Sequence, residues 1–125
     1  VIHSRDATQD TIDILKRHHN FGVIHSFSGS LEVAKEYIKM GFALGINGVV
    51  TFKNCNLKDT LKNIDINSIV LETDSPYLTP VPFRGNQNNP SHIKDIATFV
   101  AEIYGISVAE LAEITNKTVA RIFDI

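Results

Sequence analysis

Ile69-Val70-Leu71-Glu72-Thr73-Asp74-Ser75-Pro76 is a short apolar run that ends in acidic residues and a turn-forming Ser-Pro. It reads as a buried strand, Ser68–Asp74, with Asp74 at its C-terminal end. Two other segments have the same shape. Val1-Ile2-His3-Ser4-Arg5-Asp6 opens the chain inside such a run and ends it in His3. Gly22-Val23-Ile24-His25-Ser26-Phe27-Ser28-Gly29 ends one in His25. An apolar strand ending in a polar side chain is the pattern of the catalytic rim of a β/α barrel, where all strand C-termini open on one side. Two histidines and a carboxylate brought together there are suitable ligands for a divalent metal. A single polar residue at a strand end is ordinary; the recurrence of three in one chain supports the metal-site reading.

The segments between these strands carry helical signals. Asp6 with Gln9 suggests an N-terminal capping pair, with a helix running to about His19. Phe21–His25 is the next strand. Ser30 is placed to cap a helix whose apolar face is Val33, Tyr37 and Met40, and Gly41 to end it. Phe42–Ile46 is a further strand, and Asn56 starts a short helix with Leu57, Leu61 and Ile64 on one face. After Asp74 comes a polar loop, Ser75–Asn89, holding three of the four prolines. Pro90 suits a first helical turn. Ile93, Ile96, Ala97, Val100, Ala101 and Tyr104 form the stripe of that helix, which Gly105 stops. Ser107 with Glu110 makes a capping box for the last one. Alternating strands and helices with near-continuously apolar strands imply a parallel sheet covered by helices. The fold class is therefore α/β. Four units are half of a TIM (β/α)8 barrel of roughly 250 residues, so residues 1–125 are expected to be one partial domain, the second half of a barrel whose N-terminal half is absent from the chain. Open barrel edges would favour self-association.

Composition sets broad limits. The chain is 43% hydrophobic and 21% charged, with a net charge of −2. That describes an ordinary globular protein without a global basic field, so phosphate binding has to be local. The single cysteine, Cys55, excludes an intrachain disulfide framework and fits a cytoplasmic setting. No apolar run reaches membrane-spanning length.

Strand alternation places Val70, Glu72 and Asp74 on one face. A buried carboxylate at Glu72 needs a partner, which makes it a supporting group behind the ligands. In the loop, Arg84 is suited to a phosphate, Gly85 to close backbone approach, and Asn88 to a base, a sugar or the loop itself. Lys53 is a second possible phosphate contact, with a surface lysine the plainer reading. His18 and His19 suit the end of a helix. His92, in a first helical turn, is expected at the surface, and Cys55 has no evident catalytic partner.

The strings His25-Ser26-Phe27-Ser28-Gly29, Glu72-Thr73-Asp74-Ser75-Pro76-Tyr77-Leu78 and Arg84-Gly85-x-x-Asn88-x-Pro90 resemble the TatD family of metal-dependent deoxyribonucleases. Gly48-Val49-Val50-Thr51-Phe52-Lys53 and Asn116-x-x-x-Ala120-Arg121-Ile122-Phe123 extend the likeness over nearly the whole chain. The resemblance implies an amidohydrolase-like barrel with one or two divalent metals (Mg, Mn or Zn). It implies that His3 and His25 hold one metal, while Asp74 holds the other and is placed to orient or deprotonate a metal-bound water. The family's His-x-His pair and further glutamate are not in this sequence, and Ser26 stands where the family usually has cysteine. DNA is the substrate so implied. The alternatives are an amide or ester hydrolase of the same superfamily, and an inactive barrel fragment that only binds metal or nucleic acid.

Overall fold

The computed structural model describes residues 1–125. Three parallel strands lie in sequential order: β1 (Gly22–Ile24), β2 (Phe42–Ile46) and β3 (Ile69–Leu71). The first expected strand is reduced to a single parallel bridge, Ile2 to Ile24. Ile2 donates to the Val23 carbonyl at 2.8 Å, and His25 donates to the Ile2 carbonyl at 2.9 Å. Ile2 thus sits at the edge beside β1, in the expected order and direction. β3 is shorter than the expected Ser68–Asp74, although the Glu72 amide still donates to Ile46 at 2.9 Å.

Five helices follow the expected scheme: α1 (Thr8–Lys16), α2 (Leu31–Lys39), α3 (Leu57–Leu61), α4 (Ile93–Tyr104) and α5 (Val108–Phe123). Ser30 caps α2 through the Val33 amide, and Ser107 caps α5 through the Glu110 amide. Gly105 ends α4 in the left-handed region at φ 67°. The capping pair expected for α1 does not form. Asp6 itself adopts φ 51°, Ala7 holds the cap position without a side-chain bond, and Gln9 instead donates to Asp13 one turn on. α1 also stops at Lys16, because Arg17 and His18 donate to carbonyls only three residues back. Two short 3-10 turns, Gly48–Thr51 and Ile66–Ser68, were not expected, while Pro90–His92 forms the anticipated first turn before α4.

Both faces of the sheet are apolar, as a parallel sheet requires. Ile24, Leu44, Ile46 and Ile69 pack with Ala34, Tyr37, Leu57, Leu61, Ile96, Val100 and Leu111 of the helices in the main core. Val23, Ala43 and Val70 occupy the opposite face, and Ile122 near the end of α5 packs on them. Alternation puts His25 and Glu72 on that second face, two residues beyond Val23 and Val70. No helix is long and apolar enough to cross a membrane.

The long loop after β3 is docked by backbone contact. Thr51 accepts from the Val81 amide at 2.9 Å, and a Cβ on Gly48 would lie 2.9 Å from Pro80 N and collide with the Leu78 carbonyl. Backbone on both sides leaves no flexible atom to yield. Gly48→Ala is expected to destabilise the protein by about 1–3 kcal/mol, the range for overpacking. Urea unfolding read by circular dichroism checks this; an unchanged midpoint would mean that the loop moves freely.

Candidate metal centre

The geometry is built on His25. Its residue follows β1, and its ring lies between two carboxylates. His25 Nδ1 is 2.9 Å from Glu72 Oε2, and His25 Nε2 is 3.0 Å from Asp74 Oδ1. The His3 ring centroid lies 6.0 Å from that of His25. The three sequence-predicted ligands therefore stand together at one end of the sheet. They do not close on a single point: no three His, Cys, Asp or Glu side chains reach joint metal-binding distance. His25 and Asp74 are the pair whose donor atoms already face each other.

Glu72 accounts for the orientation of His25. Its Oε2 faces the imidazole, while Oε1 accepts from the Ser26 amide and, at 3.4 Å, from Asn47 Nδ2. The expected supporting role for this carboxylate thus has specific partners. A proton on Nδ1, directed to Glu72, would leave a lone pair on Nε2, the form a metal needs. Gly45 makes room for the arrangement, since a Cβ there would lie 2.7 Å from Glu72 Cδ. Asn47, 2% exposed, is a residue the sequence reading missed. Its position at the polar end of the buried run Phe42–Ile46 is the same signal that singled out His25 and Asp74.

Two residues of the centre adopt left-handed backbone: Ser26 at φ 53° and Asp74 at φ 54°. Such conformations in non-glycine residues persist where surrounding structure enforces them. For Asp74 the enforcement comes from the loop. Asn88, 3% exposed, donates from one amide nitrogen to the Thr73 and Tyr77 carbonyls, both at 2.8 Å. Its Oδ1 meets His92 Nδ1 at 2.9 Å and the Asn89 amide at 2.9 Å. Of the uses expected for Asn88, the structure corrects the substrate contact to the loop itself, because a buried amide with its bonds spent inside the turn has none left for a ligand. His92 belongs to the same assembly, its ring stacked on Phe83 at 4.8 Å. Arg84 is exposed and lies over the Phe52 ring, 3.8 Å from its centroid. Lys53 is exposed, His18 and His19 are exposed at the end of α1, and Cys55 accepts weakly from the Leu57 amide.

The sequence profile described as TatD related DNase matches residues 1–124. The chain belongs to that family. It is 44% identical to the uncharacterized metal-dependent hydrolase YabD of Bacillus subtilis, covering 100% of this chain and 51% of that protein. It is 39% identical to the uncharacterized metal-dependent hydrolase YcfH of Escherichia coli K12, covering 100% of this chain and 49% of YcfH. Among solved structures, the TatD homolog YjjV of Escherichia coli K12 superposes with a TM-score of 0.91 at 28% identity, over 98% of this chain and 49% of YjjV. The chain spans about half the length of the curated relatives it matches, and its α/β architecture is that of a partial barrel.

Charge in the metal-free site leads to a pH prediction. The hydrogen bond to Glu72 raises the His25 pKa above its ordinary 6.5; burial opposes this, and Asp74 adds to the rise. A raised folded-state value means that the protonated ring stabilises the fold. That contribution is complete below about 6.5, for as long as Glu72 and Asp74 are ionised, and is lost as pH rises through the raised value. Metal-free His25→Gln should lose stability relative to the parent at mildly acidic pH and less at alkaline pH. Urea midpoints across pH measure it; a difference that grows with pH would reverse the sign and refute the assignment.

Proposed function

We propose that this chain supplies part of the catalytic centre of a metal-dependent hydrolase that cleaves DNA phosphodiester bonds. The observation that carries the proposal is the placement of His25 Nε2 against Asp74 Oδ1, 3.0 Å apart, with Glu72 holding the far side of the imidazole. Membership of the TatD-related DNase family supports the choice of phosphodiester chemistry.

The donor set suits a hard or borderline divalent ion, Mg, Mn or Zn, bound by imidazole and carboxylate. His3, His25 and Asp74 are the residues that would hold one or two such ions. When bound, a divalent ion would supply Lewis-acid charge and lower the pKa of water toward neutrality. The chain's own residues do the rest. His25 offers Nε2 because Glu72 keeps the other nitrogen occupied. Asp74, on its strained turn, presents a carboxylate that binds cation and accepts a proton from the attacking water. Arg84 Cζ lies over the Phe52 ring, 3.8 Å from its centroid, and its N–H groups suit a phosphate oxygen. Phe52 thereby fixes a side chain that would otherwise lose rotamer freedom on binding.

Asp74→Asn keeps the size of the side chain and removes its charge. In the full-length protein assayed on DNA with Mg or Mn, the rate should fall by roughly 100-fold or more, the lower range for loss of a general base. Excess metal should restore only part of it. Full rescue by metal would leave Asp74 a ligand alone, and unchanged activity at limiting metal would remove it from the site. Cleavage of an ester or amide but not of DNA would overturn the choice of substrate.

Arg84→Ala separates binding from metal chemistry. Losing a charge-assisted phosphate bond costs on the order of 1.5–3 kcal/mol. The expected result is a raised KM on DNA with metal affinity unchanged. Equal KM for both proteins would make Arg84 a partner of Phe52 only.

A further inference from the structure

We propose that Asn47 is a positioning residue that decides which nitrogen of His25 carries the proton. The inference rests on reading His25 as a metal ligand through Nε2. Two carboxylates compete for the single N–H of a neutral His25: Glu72 at Nδ1 and Asp74 at Nε2. Only the first outcome leaves Nε2 free to bind a cation. The winner is the carboxylate held more firmly in place. Asp74 is the more exposed of the two, its side chain 33% accessible against 18% for Glu72.

Glu72 is fixed through its other oxygen. Oε1 accepts from the Ser26 amide and from Asn47 Nδ2, which leaves Oε2 aimed at the imidazole. Asn47 grips the same corner a second time, donating to Ser26 Oγ at 2.7 Å. Ser26 is the residue whose left-handed backbone turns the chain immediately after His25. It is therefore clamped at its amide by Glu72 and at its hydroxyl by Asn47. One buried amide nitrogen thus ties together the end of β1 and the residue that follows β3. The oxygen of the same amide is engaged elsewhere. Asn47 Oδ1 accepts from the Val49 amide at 3.1 Å and caps the Gly48–Thr51 turn.

This division of labour makes the proposal testable. Asn47→Asp keeps the cap acceptor and turns the donor into an acceptor facing Glu72. Asn47→Ser keeps a capping oxygen without adding charge and is too short to reach Glu72. The readout on the metal-free chain is the ¹⁵N spectrum of the His25 ring under alkaline conditions, where the imidazole is neutral. The parent is expected to show the Nδ1–H form alone. Both variants are expected to show a large population of the Nε2–H form. Titration with Zn or Mn should then give affinities lower by about 10-fold or more, the usual scale for losing a group that orients a ligand. Should the Asp variant fail to fold, the Ser variant decides. A folded variant with the parental tautomer and metal affinity within about twofold overturns the proposal and leaves Asn47 a cap. If the parent binds no metal, the metal reading of His25 fails by itself, while the tautomer spectra still confirm or overturn the role of Asn47.

Discussion

The site depends on one carboxylate being held where burial disfavours it. Glu72 follows β3 directly, two residues beyond buried Val70, and its side chain is half-buried, where an unpaired charge would be costly. Its cost is met by three donors from two other strand ends: His25, the Ser26 amide and Asn47. Gly45, on the strand between them, is the absence that permits this. A methyl group there would displace the far end of Glu72 rather than the backbone, so the fold would tolerate it while the imidazole lost its partner.

This arrangement explains why the left-handed residues fall where they do. A strand that simply continued past His25 or Glu72 would point the next side chains to the opposite face. The chain instead turns sharply at Ser26, directly after His25, and at Asp74, so both segments leave the sheet at the end where His25, Glu72 and Asp74 meet. Each turn is anchored by hydrogen bonds from elsewhere, Ser26 by Glu72 and Asn47, and the segment around Asp74 by Asn88 on Thr73. Strain of this kind is stable only when the surroundings determine it more than once.

Strand order, direction and the grouping of His25 with Asp74 were legible in the sequence, because apolar runs closed by polar residues encode both burial and chain polarity. What failed to read through was local competition among polar groups. Asp6 and Gln9 have the spacing of a capping pair, yet Gln9 finds Asp13 on its own helix and Asp6 takes a left-handed turn. Asn88 sits in a stretch rich in Asn, Pro and Gly that looks solvated, yet its side chain is folded beneath the loop. Asn47 carries the same signal, a polar residue closing a buried strand, but a neutral amide there does not stand out as a metal ligand. The first strand was overestimated for a different reason: Val1–His3 has the right pattern, but only Ile2 finds a partner, on one side.

The bonds that place Asp74 also place the loop that follows it. Asn88 holds the Thr73 and Tyr77 carbonyls, so the segment carrying Asp74 and the segment leading to Arg84 share one anchor. Farther along, Leu78 and Pro80 press on Gly48 and Val81 bonds to Thr51, which fixes the loop to the turn that Asn47 caps. Arg84 then rests on Phe52, the residue closing that turn. The continuous path runs from His25 through Glu72 and Asn47 to the turn, and from the turn through Phe52 to Arg84. The spacing between Arg84 and the His25–Asp74 pair is therefore set through backbone contacts, the buried amides of Asn47 and Asn88, and the Phe52 ring. For the phosphodiester cleavage we propose, such a fixed spacing would hold the phosphate while the attacking water is oriented.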